Sequence, residues 1–484
     1  MKHCRGLALT GLVIIAVMAF SLVSPVSIGG VRLVRANLWP EIFEYDDEDF
    51  PDEFTPDFES LYSQVNSSAE QFPVETSFYW NADSASVASG YRIAFLGDSF
   101  IEGDILTADL RESLQMKFGG GGVGFVPCEL PFGVYRQTAK VHGSGWQKYG
   151  VLKYKSVPES LQDSFIASGY MDSGKKGSEM VWERGHAFAH LDSTDVFRVF
   201  LRSPGGCSVE LSLSDGTART FDVSASPMLR QIVVGTSSET VRMNVLSGSL
   251  VCYGASFESG GGVHVDNFSV RSNNGNAIFR SNASLNRQFS EMMGYDAVVL
   301  QYGLNIMLPD KNNYAKYQKQ LEDMIQYAKA SFPECDIVVM GVSDRGVKRE
   351  GDTTYTSINS APALTRHQKA AADNQEALFW NTCDAMESLG GLETFVANGW
   401  VATDRVHFKF SGGKALAGEM TGFWEEMIAR KIRESRRNDV LEPMDADSSM
   451  FDVAVPDTVP PSIAAAPVSS DKNVPRRRQQ NAGR

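Results

Sequence analysis

Cysteine is scarce in this chain, and its positions carry no metal signature. Only six of the 484 residues are cysteine. The spacing of Cys128, Cys207, Cys252, Cys335 and Cys383 fits no zinc pattern. Cys207 and Cys252 share a β-rich segment, so an oxidising compartment would let them pair; otherwise each is an isolated buried thiol. His142, His186, His190, His264 and His367 are scattered, with no metal-ligand spacing beside a carboxylate. No metal or other cofactor is expected. Positive charge is also short: 45 Lys and Arg stand against 59 Asp and Glu, a formal net charge of −14. That balance argues against non-specific nucleic-acid binding. The glycines at 119–122 and 124 lack the lysine and spacing of a phosphate-binding loop, and read as a helix stop.

One long uncharged run is present, from Gly6 to Val31, preceded by Lys2 and Arg5. About 20 apolar residues suffice to span a bilayer. The leading positive charges put the N-terminus in the cytoplasm and the remainder outside. Residues 1–36 are therefore expected to be a signal anchor in the cytoplasmic membrane. A cleaved signal peptide is the rival reading, although no clear small-x-small site ends the run. Residues 37–90, acidic between Glu41 and Glu53, read as a stalk and lead-in. Residues 438–484 lose periodicity, are rich in Pro, Ser and Ala, and read as a disordered tail.

Between these ends, 43% hydrophobic and 21% charged content describes a globular protein with a large core. Residues 91–96 read as a buried parallel strand. Leu106, Leu110, Leu114 and Met116 predict a helix over 105–118. From about Val134 to Gly262 the texture changes to short alternating runs at 196–201, 208–213, 229–234, 240–245 and 250–255. These predict an inserted all-β sandwich, serving as a substrate-binding module or a structural elaboration. Trp146, Trp182 and Tyr149 are candidates for a sugar-stacking face or for the sandwich core. Strands at 296–302, 336–341 and 378–380 then alternate with helices at 313–331, 363–377 and 412–433. This implies that 91–133 and 263–437 form one α/β domain around a parallel sheet, with functional residues beyond the strand carboxyl ends.

Three short motifs occupy telling positions. Gly97-Asp98-Ser99-Phe100 follows the first strand, Gly303-Leu304-Asn305 follows a later one, and Asp404-Arg405-Val406-His407 precedes the last helix. A serine, a histidine and an aspartate are the components of nucleophilic ester cleavage: a weak nucleophile, a base to take its proton and an acid to orient the base. A separation of three residues lets one turn present Asp404 and His407 together.

In order and spacing these motifs resemble the first, third and fifth sequence blocks of the SGNH/GDSL hydrolases, over roughly residues 91–133 and 263–433. The resemblance implies a flavodoxin-like, three-layer α/β/α fold. It implies Ser99 as nucleophile, His407 as base and Asp404 as orienting acid. It also implies an oxyanion hole made by the Ser99 backbone N–H, the Asn305 side-chain amide and a third backbone N–H. In the family that third donor is a glycine; here Ser272 stands in the corresponding segment, with Gly275 as the alternative. Phe100 departs from the commoner leucine or histidine and should only shape the pocket. The insertion is similar in placement to that of periplasmic peptidoglycan O-acetylesterases.

The expected activity is removal of acetyl groups from an extracytoplasmic polysaccharide, with peptidoglycan favoured. The alternatives are acetyl transfer to a sugar hydroxyl at the same site, and a cell-wall binding protein with a degenerate site. Asp344-Arg345, after a strand, is expected to help bind a charged substrate or to form a loop salt bridge. The expected location is the cell envelope, anchored to the cytoplasmic membrane, or the periplasm if the N-terminal run is cleaved.

Overall fold

The computed structural model describes residues 27–28, 31–32, 57–62, 65, 76–87, 90–130, 133–348 and 354–441. Most of the N-terminal apolar run, most of the acidic stalk and the tail from residue 442 lie outside the described residues. Among the described residues no helix is long and apolar enough to cross a membrane.

Five strands form a wholly parallel sheet: β1 (Tyr91–Gly97), β2 (Val263–Ser269), β3 (Ala297–Gln301), β4 (Asp336–Met340) and β5 (Leu378–Trp380). Their order is β2-β1-β3-β4-β5, the flavodoxin-like arrangement, with its switch point at β1. Every residue of β1 and β3 is buried. Both faces of the sheet are therefore covered, which is why these strands read as continuous apolar runs rather than alternating ones.

Helices α1 (Thr107–Phe118), α2 (Ala283–Met293), α3 (Ala315–Ser331) and α4 (Ala361–Asn374) connect the strands. The face expected on α3, namely Tyr317, Leu321, Met324, Ile325 and Ala328, is buried. Helix α1 starts two residues later than its periodicity suggests. Asp104 and Leu106 hold positive φ angles of 69° and 71°, and the helix can begin only after that kink. The last helix runs from Phe410 to Leu441. Its Leu416, Met420, Trp424 and Met427 join the core, with the Trp424 ring 6.0 Å from that of Phe95. From Lys431 it belongs to a second unit.

The β-rich part is an eleven-stranded network. The runs expected separately at 240–245 and 250–255 are one strand, Thr240–Glu258. Gly248 adopts φ 71° and bends the strand without ending it. The first half pairs with Cys207–Leu213 and Glu179–Arg184; the second pairs with Val196–Ser203, Tyr170–Lys175 and Gly124–Pro127. The two halves share one core holding Trp182, Phe197, Leu211 and Met243. Trp182 is thus a core residue, not part of a sugar-stacking face. The Trp146 indole N–H donates to the Glu179 carbonyl at 2.7 Å. Cys207 and Cys252 are both buried and free.

The β-rich network reaches outside 134–262 at two places. Ser77–Trp80 pairs in parallel with Ser226–Gly235, and Gly124–Pro127 pairs with the long strand. Its outer face packs on the α/β core. Phe125 and Phe200 meet Phe289 of α2 at 5.1 and 5.2 Å, and Phe125 meets Phe268 of β2 at 5.3 Å. Each such ring, fully buried, contributes about 1.5–3 kcal/mol. Charge crosses the same seam. Glu258 accepts from Arg198 at 2.9 Å and from Arg92 of β1, all three being buried.

Candidate active site

The register of the sheet brings three loops to one edge. Gly97 at the end of β1 lies between Ser269 of β2 and Gln301 of β3. The residues that follow each strand therefore leave the sheet side by side. Gly303 is needed where it stands: its φ is 117°, and a Cβ there would be 2.7 Å from Val342 and 2.9 Å from Gln368.

Ser99, His407 and Asp404 come together although the serine and histidine are 308 residues apart in sequence. The Asp404 turn is built locally. Its Oδ1 accepts the N–H groups of Val406 and His407 at 2.9 and 3.1 Å. Its Oδ2 lies 2.8 Å from His407 Nδ1. A carboxylate only accepts, so Nδ1 carries the proton and Nε2 presents a lone pair. Ser99 Oγ lies 3.0 Å from that Nε2 and donates to it. Burial opposes charge on Asp404, but the hydrogen bonds from His407 and Val406 prevail and hold its carboxyl down at about 2. Phe100, directly after Ser99, packs on Phe408 at 4.8 Å and so ties the two loops together.

Ser272 also reaches this edge. Val270 N–H donates to the Gly97 carbonyl at 2.9 Å, placing the loop after β2 beside the end of β1. Ser272 holds φ 62°, a conformation in which glycine is the ordinary occupant. Among the described residues its backbone N–H has no partner. The Gly275 N–H, by contrast, donates to Asn273 Oδ1 at 2.9 Å, so of the two candidates Ser272 has the available donor.

Asn305 is present at the edge, but its amide is engaged. Its Nδ2 donates to Asp98 Oδ2 at 3.0 Å and to the Asn273 carbonyl at 2.9 Å. Asp98 had no role assigned from sequence. It is fully buried, and its Oδ1 accepts the Phe100 N–H at 2.9 Å. Burial pushes its carboxyl up to about 7, against the hydrogen bonds from Phe100 and Gln301 that favour the charged form. Its presence in the motif beside Ser99 was a visible signal; its contact with Asn305 was not.

Two more features escaped the sequence reading. Glu102 pairs with Arg271 at 3.3 Å, linking the Ser99 loop to the Ser272 loop. Asp104, fully buried in the loop after Ser99, takes Arg111 at 3.1 Å and Arg136 of the β-rich part at 3.3 Å. Burial opposes its charge, but the two guanidinium groups hold its carboxyl well below the usual range. At Asp344-Arg345 the guanidinium donates to the Met307 carbonyl, and Asp344 accepts the Arg345 backbone N–H at 2.7 Å. The side chain of Arg345 thus holds the loop carrying Asn305.

No family model matches the sequence, and no curated protein matches it. Among solved structures, a peptidoglycan O-acetylesterase superposes with a TM-score of 0.56 at 19% identity, covering 76% of this chain and 96% of that one. That coverage exceeds what the α/β residues alone make up, so the shared fold takes in the β-rich part. A lipase/acylhydrolase from Enterococcus faecalis matches at TM-score 0.25 and 17% identity over 33% of this chain and 77% of that one. A family two carbohydrate esterase from Cellvibrio japonicus matches at 0.26 and 8%, over 60% and 99%. Scores at that level carry no argument. The first likeness shows that this chain shares the fold of that O-acetylesterase.

Proposed function

We propose that the protein is a carboxylic ester hydrolase that removes acetyl groups from an extracytoplasmic polysaccharide, peptidoglycan foremost, through an acyl-enzyme on Ser99. The observation that carries this reading is the continuous hydrogen-bonded series Ser99–His407–Asp404 at the carboxyl edge of the sheet. In it Ser99 Oγ attacks the acetyl carbonyl carbon as its proton passes to His407 Nε2. The tetrahedral intermediate collapses, the C–O bond to the sugar breaks, and His407 returns the proton to the departing alkoxide. Water then repeats the sequence against the acyl-serine and releases acetate. Asp404, ionised, stabilises the imidazolium that forms in each half.

The negative oxygen of the intermediate is met by the backbone N–H groups of Ser99 and Ser272. Asn305 is a third donor on terms set by Asp98: the oxyanion competes with the Asp98 carboxyl for one amide hydrogen. The choice of an acetylated glycan is supported by likeness to the O-acetylesterase fold and by the apolar N-terminal run, which suits an envelope location at the cytoplasmic membrane.

Hydrolysis of 4-nitrophenyl acetate by the purified protein tests the reading. The wild type should turn it over, and Ser99→Ala should lose at least a thousandfold in kcat, as removing a triad member does. Full activity in that variant would sink the assignment. Product analysis with an acetyl donor and a sugar oligomer separates hydrolysis from transfer.

A further inference from the structure

A cleft opens where the nucleophile loop meets the β-rich part. Its walls include Glu102 and Gly103 from that loop, Asn267 and Ser269 from β2, and Glu129 and Tyr170 from the β-rich side. About 390 Å³ of empty space lies in the cleft and at its mouth, open solvent included. The walls are fixed. Asn267 Nδ2 donates to the Ile101 carbonyl and to Thr107 Oγ1, both at 2.8 Å. Arg136, also lining the cleft, is held by Asp104 and by Thr138 at 2.9 Å.

The cleft adjoins the loop that carries Ser99. Glu102 N–H donates to the Ser99 carbonyl at 3.4 Å, one turn beyond the nucleophile. The Glu102 carboxyl is pushed up by burial and drawn back by Arg271 and then by His407. Glu129 faces it from the β-rich side. Tyr170 stands near both: burial, then the charges of Glu102 and Glu129, push its hydroxyl's ionisation up. Among the described residues that hydroxyl makes no hydrogen bond, and the half-buried residue lines the cleft.

The charge balance narrows the ligand. Glu102 is matched by Arg271 and Glu129 by Lys148, at 3.3 and 2.5 Å. Neither carboxylate therefore needs a cation, yet each remains a strong acceptor for O–H or N–H donors. Two matched carboxylates and one unused phenol suit an uncharged polyol better than an anion or an aliphatic chain.

We propose, resting on the esterase reading above, that this cleft is the subsite for the uncharged sugar ring bearing the ester. Glu102 and Glu129 accept its hydroxyl or amide hydrogens, and Tyr170 donates to one of its oxygens. The β-rich part thereby supplies substrate contacts beside the catalytic edge rather than at a remote face.

The test uses Tyr170→Phe and Glu102→Gln in the full chain, with two substrates: 4-nitrophenyl acetate and an O-acetylated N-acetylglucosamine tetrasaccharide. The ratio of kcat/KM for the glycan to that for the aryl ester should fall roughly tenfold in each variant, the effect of one lost hydrogen bond to a charged or fixed partner. In a Ser99→Ala background, calorimetric affinity for the unacetylated tetrasaccharide should fall by a similar factor when Tyr170→Phe is added. An unchanged ratio and unchanged affinity, in variants whose melting matches the parent, would overturn the subsite. Aryl ester hydrolysis surviving Ser99→Ala would overturn the esterase reading instead, so the two failures are told apart.

Discussion

Asn305 illustrates how one side chain answers to two neighbours. Its amide nitrogen has two hydrogens, held by Asp98 and by the Asn273 carbonyl. Turning one toward an oxyanion costs the bond to Asp98, which is weaker when that carboxyl is protonated. Asn305→Ala should lower kcat about 10²–10³-fold, the usual cost of an oxyanion donor, while KM changes little; steady-state kinetics on 4-nitrophenyl acetate measures both. Ser272 gives the opposite expectation. A non-glycine residue in the left-handed region costs roughly 1–2 kcal/mol. Ser272→Gly should relieve that strain, keep the backbone donor and retain activity within about threefold, offset in part by added chain entropy. A large loss of activity would show that the serine side chain itself takes part. Ser272 could be named from sequence only by its place in the loop, since a backbone donor leaves no side-chain signature. That the Gly275 N–H is already spent on Asn273 was not visible in the sequence.

At the scale of elements, the parallel strands and their helices were readable from apolar runs and from helical spacing. Both are local signals. The long strand Thr240–Glu258 was not, because Ser247-Gly248-Ser249 looks like a turn and here only bends the chain between two sets of partners. The seam was hidden for a related reason. Arg92, Arg198, Glu258 and Arg136 look like surface residues in sequence, and their burial depends on partners far away in the chain. Asp104 and Arg136 carry the sharpest consequence. Arg136→Ala leaves a buried carboxylate with Arg111 as its remaining guanidinium partner. Breaking a buried pair costs about 3–5 kcal/mol, and the retained Arg111 puts this variant at the lower end. Thermal melting should drop, and aryl ester hydrolysis should fall with it, because the nucleophile loop is what Asp104 braces. Removal of 134–262 as a block is accordingly expected to impair small and large substrates alike.

For the molecule as a whole, stability should carry an imprint of its buried acids. Asp172 is fully buried, and burial, then the charge of Glu129, push its carboxyl up to about 7. Its unfolded value is near the ordinary 3.9. Between those values the folded chain binds a proton that the unfolded chain has lost, so this group's contribution to stability falls as pH rises from about 4 to about 7. Asp172→Asn should remove that slope: a higher melting temperature than wild type at pH 8, and a smaller difference at pH 5. An equal shift at both values would count against a titrating Asp172. The overall arrangement was legible to the extent that three short motifs fixed which strand ends meet. The way the β-rich part is fused to them was not, since no short motif encodes it.

The strand order has a bearing on how the chain reaches its fold during synthesis. β1 is central, yet its neighbours come much later: the Arg92 backbone N–H bonds to Asp296, 204 residues downstream, and β2 begins only at Val263. A nascent chain therefore emerges with a fully apolar strand, Ile93 to Leu96, that has no sheet to join while the whole β-rich part is being made. Pairings so distant in sequence form slowly, and unpaired apolar strands invite association with other chains. The β-rich segments that pack against Phe125 and Arg92 arrive first. Of the contacts at that seam, the one to β1 itself, Arg92 with Glu258, can therefore form before the sheet is complete.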